Sequence, residues 1–496
     1  MTEQHPPPPE TATPARHRDR VVRDPGGPIV TVSINIGAAI AWVVIVALVG
    51  LIAIAPMVGP LMGPTAPVEG ATEVEGGGAE SGESVAAGEV GEEADQPPPP
   101  GIFGEALKPI VLNPDGARGE LKMAGSMFVR GPPDRIRIAI VAGDTLGAEA
   151  ALEELSKLPD DLTAGERRDV ETLQTLYRDG PEGVDPAAGA RLIDRYNWFG
   201  RLAMTWGRQG AQRDDLLADA RRVRNTVYAF NGVLFAALTV GVGLFVAAIT
   251  LLLMGRLRRA YAAPAPGGSA YVEVFAVFLA GYTVLSVLIE ALAPAIGPWH
   301  HLLRWVMLAV VGWPLVRGAP WRQARFALGW HSGRGALREM ALGVVGYVAC
   351  LPIVGVGLAC TLALMGLWGL VSGPGEEEGA APAHPIGDML AQAGPVEIAM
   401  LLMVGVVWAP VVEETVFRGA FYHHLRGRLG AIGAGLATGF VFAAIHPQGI
   451  FAIPVLTSVG FVLCLLREWR GTLLAPIAAH ALNNGFILSV LLLVML

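Results

Sequence analysis

Residues 399–422 read AMLLMVGVVWAPVVEETVFRGAFY, an apolar stretch long enough to cross a bilayer, with Glu413, Glu414 and Arg418 in its second half. A hydrocarbon core about 30 Å thick takes about 20 residues of apolar helix. A charge near the centre of such a helix costs roughly 2.5–3.5 kcal/mol on insertion scales, so intramembrane charges mark a functional site by default. Outward from this stretch, His446 ends the apolar run GLATGFVFAAIH (435–446), and His480 and Asn484 open the last one. Three neighbouring apolar segments thus carry polar side chains that a membrane helix does not hold without a use.

The rest of the composition agrees with a membrane setting. Of 496 residues, 52% are hydrophobic and only 16% charged. This predicts an all-α, polytopic helical membrane protein, with about nine transmembrane helices and a small helical soluble domain inserted after the first. The net charge of −8 comes largely from one acidic segment and indicates no nucleic-acid partner. Cys350, Cys360 and Cys464 all fall in apolar runs, as small buried hydrophobes do, not in a disulfide or metal pattern.

Along the chain, residues 1–28 form a basic N-terminus with Arg16, Arg18, Arg20 and Arg23. The apolar run 29–58 is too long for a cleaved signal's core and reads as a signal-anchor helix. Residues 59–101 are rich in Gly, Pro and Glu; between Glu69 and Asp95 there are nine acidic residues and no Lys or Arg, the composition of an extended, self-repelling linker. Residues 102–224 change character to charged, amphipathic segments at helical spacing: 135–158, 166–179 and 187–206. This small helical domain contains no His or Cys and no catalytic constellation, so a binding or spacing role is the reading it supports. Eight further apolar spans follow, at about 227–254, 272–295, 300–316, 340–371, 394–421, 430–446, 450–466 and 473–495. The fourth is longer than one tilted helix needs and is expected to bend at Pro352.

Basic residues set the orientation. Arg256, Arg258 and Arg259, then Arg317, Arg322, Arg325, Arg334 and Arg338, then Arg426 and Arg428, then Arg467 and Arg470 occupy every alternate loop. By the positive-inside rule the N-terminus is cytoplasmic and residues 59–224 lie outside the cytoplasm, as in a bacterial inner membrane protein. Arg221, Arg222 and Arg224 run against this pattern, but long translocated domains weaken the rule.

Within the polar set, Glu414 and Arg418 are four apart and share a helix face, whereas Glu413 is rotated by about 100°. Phe442 and His446 form a second same-face pair, and His480 and Asn484 a third. His423 and His424 fall at the cytoplasmic end of a span, where a helix C-terminus and solvent account for them; His300 and His301 sit beside Trp299 and Trp305 in what reads as an interfacial aromatic belt. The remaining groups suit hydrolysis of a peptide bond by an activated water. Glu413 serves as general base, His446 holds the water, and His480 and Asn484 donate to the oxyanion, with no Ser or Cys nucleophile needed. Two His and one Glu are also a common catalytic zinc set, so a metal-dependent version with Glu413, His446 and His480 as ligands stays open, although no HExxH occurs.

EETVFRG at 413–419 resembles the EExxxR motif of the CPBP intramembrane endopeptidases, the group that includes type II CAAX prenyl proteases and the bacteriocin-processing (Abi) proteins. FAAIH at 442–446 resembles their FxxxH motif and HALNN at 480–484 their HxxxN motif, in the family's order. Each motif alone is weak and the ordered set is strong; the resemblance extends over about residues 270–496, behind a separate transmembrane helix at 227–259. It implies a glutamate-dependent intramembrane protease with Glu413, His446, His480 and Asn484 catalytic and Glu414, Arg418 and Phe442 in support. It also implies a membrane-lipid environment and a peptide or protein substrate, membrane-anchored in some members. Two other readings remain: a non-catalytic scaffold or immunity-type protein of the same fold, and a proton-coupled transporter. An intact set of costly intramembrane charges weighs against the first, and the lack of paired Gly/Pro-broken segments in corresponding halves weighs against the second.

Overall fold

A computed structural model describes residues 19–22, 30–33, 36–58, 101–127, 129, 131–265, 268–371, 386, 389–390 and 393–495. The acidic segment 59–100 and most of 372–392 lie outside these residues, as do Arg16, Arg18 and Arg23. Apart from a four-residue hairpin, Asp19–Val22 against Val30–Ser33, the described elements are helical. Six helical stretches are long and apolar enough to span a membrane, beside the shorter apolar part of the Ile36–Val58 helix. The chain is a polytopic helical membrane protein.

The nine expected segments are all helical but grouped differently. The anchor helix begins at Ile36, and residues 30–33 form a strand of the hairpin instead. The expected spans 272–295 and 300–316 belong to one continuous stretch, Ala270–Val316, whose middle part Gly297–Gly312 tightens into a 3₁₀ helix. Likewise 394–421 and 430–446 form one stretch, Pro395–Ala444, divided at Gly430, whose φ of 69° breaks the helix. An L side chain rarely adopts that backbone, so glycine marks the turn. The Ala336–Val371 helix continues through Pro352.

Residues 101–210 pack around a core that includes Leu107, Ile136, Ile140, Leu173, Leu192 and Phe199, all almost completely buried. The expected helix 135–158 breaks at Gly147 (φ 97°) and the expected helix 187–206 at Asn197 (φ 49°). Thr163 and Glu166 close a reciprocal capping box at the start of Ala164–Asp179, satisfying two otherwise orphaned backbone donors. The domain does not end in a linker. Its last helix, Ala211–Leu253, runs 43 residues without a break from the charged domain into the apolar zone. Only 6% of its apolar window is buried, so this helix lies at the periphery with Val233, Phe235 and Leu253 facing outward as lipid-facing residues do.

The site is carried by the most closely packed helices. Tyr422–Ala444 and Ile453–Arg470 approach so tightly that a Cβ on Gly439 would lie 2.5 Å from the Thr457 carbonyl oxygen, and one on Gly460 would lie 2.6 Å from the Gly439 Cα. Small residues at such a crossing are what let membrane helices pack. Because the obstacle is backbone, Gly439→Leu should separate the helices at a cost of about 1–3 kcal/mol or more. A lowered apparent melting temperature in detergent would show it; an unaltered melting profile would mean that the crossing relaxes freely.

Basic residues gather at one end of the bundle. Arg470 pairs with Glu339 at 2.7 Å and Arg426 with Glu468 at 2.6 Å, while Arg467 donates to the Ala327 carbonyl. The Ala260 amide reaches the Glu468 carbonyl at 3.1 Å, bringing the end of the long helix to the same place. Trp42 of the anchor helix joins them through ring contacts with Phe421 and His424. His424 is therefore only 5% exposed, and His423 is hydrogen-bonded to the Tyr261 hydroxyl, so packing and not solvent accounts for both. His301 also departs from the sequence reading: it is 1% exposed, not in an interfacial turn.

Candidate active site

The helix bearing the two glutamates is irregular where it matters. Ala409–Glu414 is flanked by two π-helical stretches, Val404–Trp408 and Thr415–Phe421. Such wide turns are rare and recur at functional sites. Thr415 contributes locally: its hydroxyl donates to the Val411 carbonyl at 2.7 Å and accepts from the Trp330 indole at 3.1 Å.

Glu414 and Arg418 are both fully buried and form an ion pair at 2.8 Å. A buried pair leans on its remaining hydrogen bonds, and here these are met in part: Arg418 Nε and Glu414 Oε2 are buried without a partner. Arg418 uses its second terminal nitrogen on the Gly460 carbonyl at 3.0 Å, which the close Gly439/Gly460 crossing brings within reach. The Arg418 guanidinium lies over the Phe442 ring, 4.8 Å from its centroid. Glu414 in turn meets His480 Nδ1 at 2.8 Å, tying the last helix to the one that bears the glutamates.

Glu413 has a different setting. It is 19% exposed at the side chain, and its buried Oε2 has no hydrogen-bond partner. Its partner at ion-pair distance is His480 Nε2, at 3.9 Å. His480 thus stands between the two carboxylates, presenting one ring nitrogen to each. Nδ1 meets the Glu414 carboxylate, and Nε2 is the nitrogen presented toward Glu413.

His446 bonds the Phe442 carbonyl through Nδ1, which puts a proton on that nitrogen and leaves Nε2 as the acceptor in the neutral ring. Its imidazole packs on the Phe442 ring at 4.2 Å, and His480 meets the same ring edge-on at 5.9 Å. Asn484 donates one amide N–H to the Gly405 carbonyl at 2.9 Å and accepts from Asn483 at 3.2 Å. Asn483 is itself held by the Tyr347 hydroxyl at 2.7 Å.

Glu413, Phe417, Phe442, His446, His480, Asn483 and Asn484 line a single cavity of about 650 Å³, while Glu414 and Arg418 lie behind its wall. Most of the remaining lining is apolar, including Phe278, Leu401, Trp408, Ile487 and Leu488. The cavity thus combines a polar cluster with an apolar trough, as peptide and ligand sites commonly do. Among the described residues no group of three His, Cys, Asp or Glu side chains converges as a metal site.

Several contributors escaped the sequence reading. The Gly405 and Gly460 carbonyls, Asn483 and Tyr347 all position the polar set. The Asn483–Asn484 doublet in an apolar run was a usable signal for one of them. Nothing in the sequence pointed to the backbone carbonyls, since every residue has one.

Comparison with known proteins bears on the same stretch. Residues 395–486 match the family model described as Type II CAAX prenyl endopeptidase Rce1-like. The match includes Glu413, Glu414, Arg418, Phe442, His446, His480 and Asn484. No curated protein and no solved structure matches the chain. Over residues 395–486 this integral membrane protein is thus similar to the Rce1-like type II CAAX prenyl endopeptidases.

Proposed function

We propose that the protein is an intramembrane endopeptidase that hydrolyses a peptide bond close to the membrane interface with a water activated by Glu413. The observation that carries this reading is the contrast between the two glutamates. One is held through its Oε1 by Arg418 and His480 and lies behind the cavity wall, and the other lines the cavity with neither helix-to-helix bond. A carboxylate placed so can accept a proton from water, a general-base contribution worth typically about 10²–10⁴-fold. His446 Nε2, as acceptor, orients that water's second hydrogen.

As water attacks, the carbonyl oxygen gains charge, and the second Asn484 N–H is the neutral donor for it. His480 can donate to the oxyanion only through Nε2, because Nδ1 is committed to Glu414. The proton taken by Glu413 then passes to the leaving amine, which restores the carboxylate and completes the cleavage.

The peptide substrate is drawn from the membrane or its surface, and lipid surrounds the apolar faces. In this reading the protein sits in a bacterial inner membrane with the basic end cytoplasmic and residues 59–224 on the other side. The clustering of Arg426, Arg467 and Arg470 with Ala260 and Trp42 at one end supports that orientation. Cysteine labelling at a residue of 102–224 in intact cells should show exposure outside the cytoplasm.

The test of the activity is cleavage of a membrane-tethered reporter by the purified full chain, compared with His446→Ala. We expect the variant to lose about 10²-fold or more in rate; equal rates would remove His446 from the chemistry. In the same assay, chelator treatment with metal analysis separates the two hydrolytic routes. The Glu413 route expects cleavage to survive chelation, and a loss restored by added zinc would assign the metal-dependent one.

A further inference from the structure

A second cavity lies at the basic end of the bundle and shares no lining residue with the one at Glu413. Its volume is about 700 Å³, and Tyr261, Pro320, Arg322, Gln323, Phe326 and His423 are among its lining. Three segments far apart in the chain build it, and hydrogen bonds hold them together. The Ala260 amide donates to the Glu468 carbonyl at 3.1 Å, the Leu473 amide to the Gly329 carbonyl at 3.0 Å, and His331 Nε2 meets the Gly471 carbonyl at 3.0 Å. The Tyr261 hydroxyl and His423 Nδ1 meet at 2.6 Å, which fixes the aromatic side.

The charge around this cavity is one-sided. Arg467 is fully buried against it and has no carboxylate partner among the described residues. It donates to the Gly471 and Ala327 carbonyls, its guanidinium lies 4.8 Å from the Tyr261 ring centroid, and its Nε is unpartnered. Both carbonyls stand at helix C-termini, whose dipoles offset only part of that charge. Arg322 lines the cavity, is exposed, and makes no ion pair among the described residues. Arg325, three residues on, shares its helix face and lies over the Phe326 ring at 5.5 Å. Arg256, Arg258 and Arg259 are exposed and lead directly into Ala260 of the lining. The glutamates at this end are already taken: Glu273 pairs with Arg317, Glu339 with Arg470 and Glu468 with Arg426.

The short helix Trp321–Leu328 marks the depth of the cavity. Trp321 and Phe326 are exposed rings beside exposed arginines, the pattern of a helix lying in the membrane interface. Anionic headgroups sit at that level, and a guanidinium gives a phosphate two parallel hydrogen bonds.

We propose that this cavity binds the phosphodiester of an anionic phospholipid headgroup, with Arg322 as its direct ligand and Arg325 and Arg467 supplying positive charge around it. The inference is independent of the proteolytic reading, since none of these residues touches the Glu413 cavity. Ala260 and Gly471 both line the site, so a bound headgroup ties the chain leaving the long Ala211–Leu253 helix to the end of Ile453–Arg470. Binding therefore stabilises the folded bundle and is readable as a rise in melting temperature.

The test uses the full chain in a neutral detergent. Short-chain phosphatidylglycerol, short-chain phosphatidylcholine and inorganic phosphate are each titrated against the apparent melting temperature. Phosphatidylglycerol should bind at least about tenfold more tightly than phosphatidylcholine, a preference that falls to near unity in Arg322→Gln with Arg325→Gln and is partly kept by Arg322→Lys. Both arginines are exposed, so the variants keep the fold, which their melting temperature without lipid checks. Arg334→Gln with Arg338→Gln removes the same charge outside the lining and should keep the preference. Equal loss in the two double variants overturns the site in favour of a diffuse basic surface. No preference for phosphatidylglycerol, or one indifferent to Arg322→Gln, also overturns it. Inorganic phosphate binding as tightly as phosphatidylglycerol overturns the lipid as the source. A synthetic peptide of residues 69–95 that binds through Arg322 more tightly than the lipid would make the occupant an acidic peptide, and the proposal would fall.

Discussion

Glu413→Gln should abolish reporter cleavage, with kcat/KM falling by about 10³-fold or more while the protein still folds and inserts. The size follows from asking the side chain to be the general base, a role in which removal costs up to about 10⁴-fold. Folding should survive because Glu413 makes no hydrogen bond that holds helices together. Its Oε2 is unpartnered and its side chain faces the cavity. The amide preserves shape and removes the ability to take a proton. Melting temperature and elution volume in detergent should match the unaltered chain. Cleavage persisting at more than about a tenth of the original rate is incompatible with a general-base contribution of even 10²-fold, and would move the chemistry elsewhere.

Arg418→Met should have the opposite profile, with loss of fold and activity together. The guanidinium is completely buried, bonded to Glu414 at 2.8 Å and to the Gly460 carbonyl at 3.0 Å. Removing one partner of a buried pair leaves the other charge uncompensated and costs about 3–5 kcal/mol. Glu414 would keep only His480, and the Gly460 carbonyl would lose its side-chain donor. A large drop in apparent melting temperature, with low yield in detergent, is the expected measurement. The double change Glu414→Gln with Arg418→Met distinguishes pair from scaffold. Because both charges are gone, stability should recover in part, while cleavage should not, since His480 loses its ionised partner. Were Arg418→Met as stable as the parent, the pair would be no more than a surplus ion bridge.

The two expectations concern neighbouring carboxylates of one helical stretch, Glu413 and the Arg418 partner Glu414, and the contrast between them comes from helix geometry. Glu414 and Arg418 are four apart and Glu413 is one step round the helix, so one carboxylate pairs and the other does not. The sequence shows this because intrahelical neighbours depend only on the backbone repeat. Phe442 and His446 are legible for the same reason, although the contact includes a bond from the imidazole to the Phe442 carbonyl as well as a ring contact. The π-helical turns around Glu413 were not legible: VGVVWAPVVEETVFRGAF has the apolar character of an ordinary membrane helix, and wide turns depend on what packs against them.

Across helices the sequence was a poorer guide. The reading of His423 and His424 as solvent-facing failed because the anchor helix, nearly four hundred residues earlier, places Trp42 against His424. The nine expected segments were correctly apolar, but Gly430 and the 3₁₀ stretch at 297–312 decided how they join.

By itself, then, the sequence determined that this is a helical membrane protein and that its polar residues form three same-face pairs with Glu413 outside them. Both follow from local quantities, hydropathy per residue and the angle per residue of a helix. Only the tertiary structure decided that His480 stands between the two glutamates, that the Gly460 carbonyl meets Arg418, and that Glu413, His446 and Asn484 line one cavity. Those relations join segments far apart in the chain, and they are set by how closely helices pack, which no local periodicity encodes.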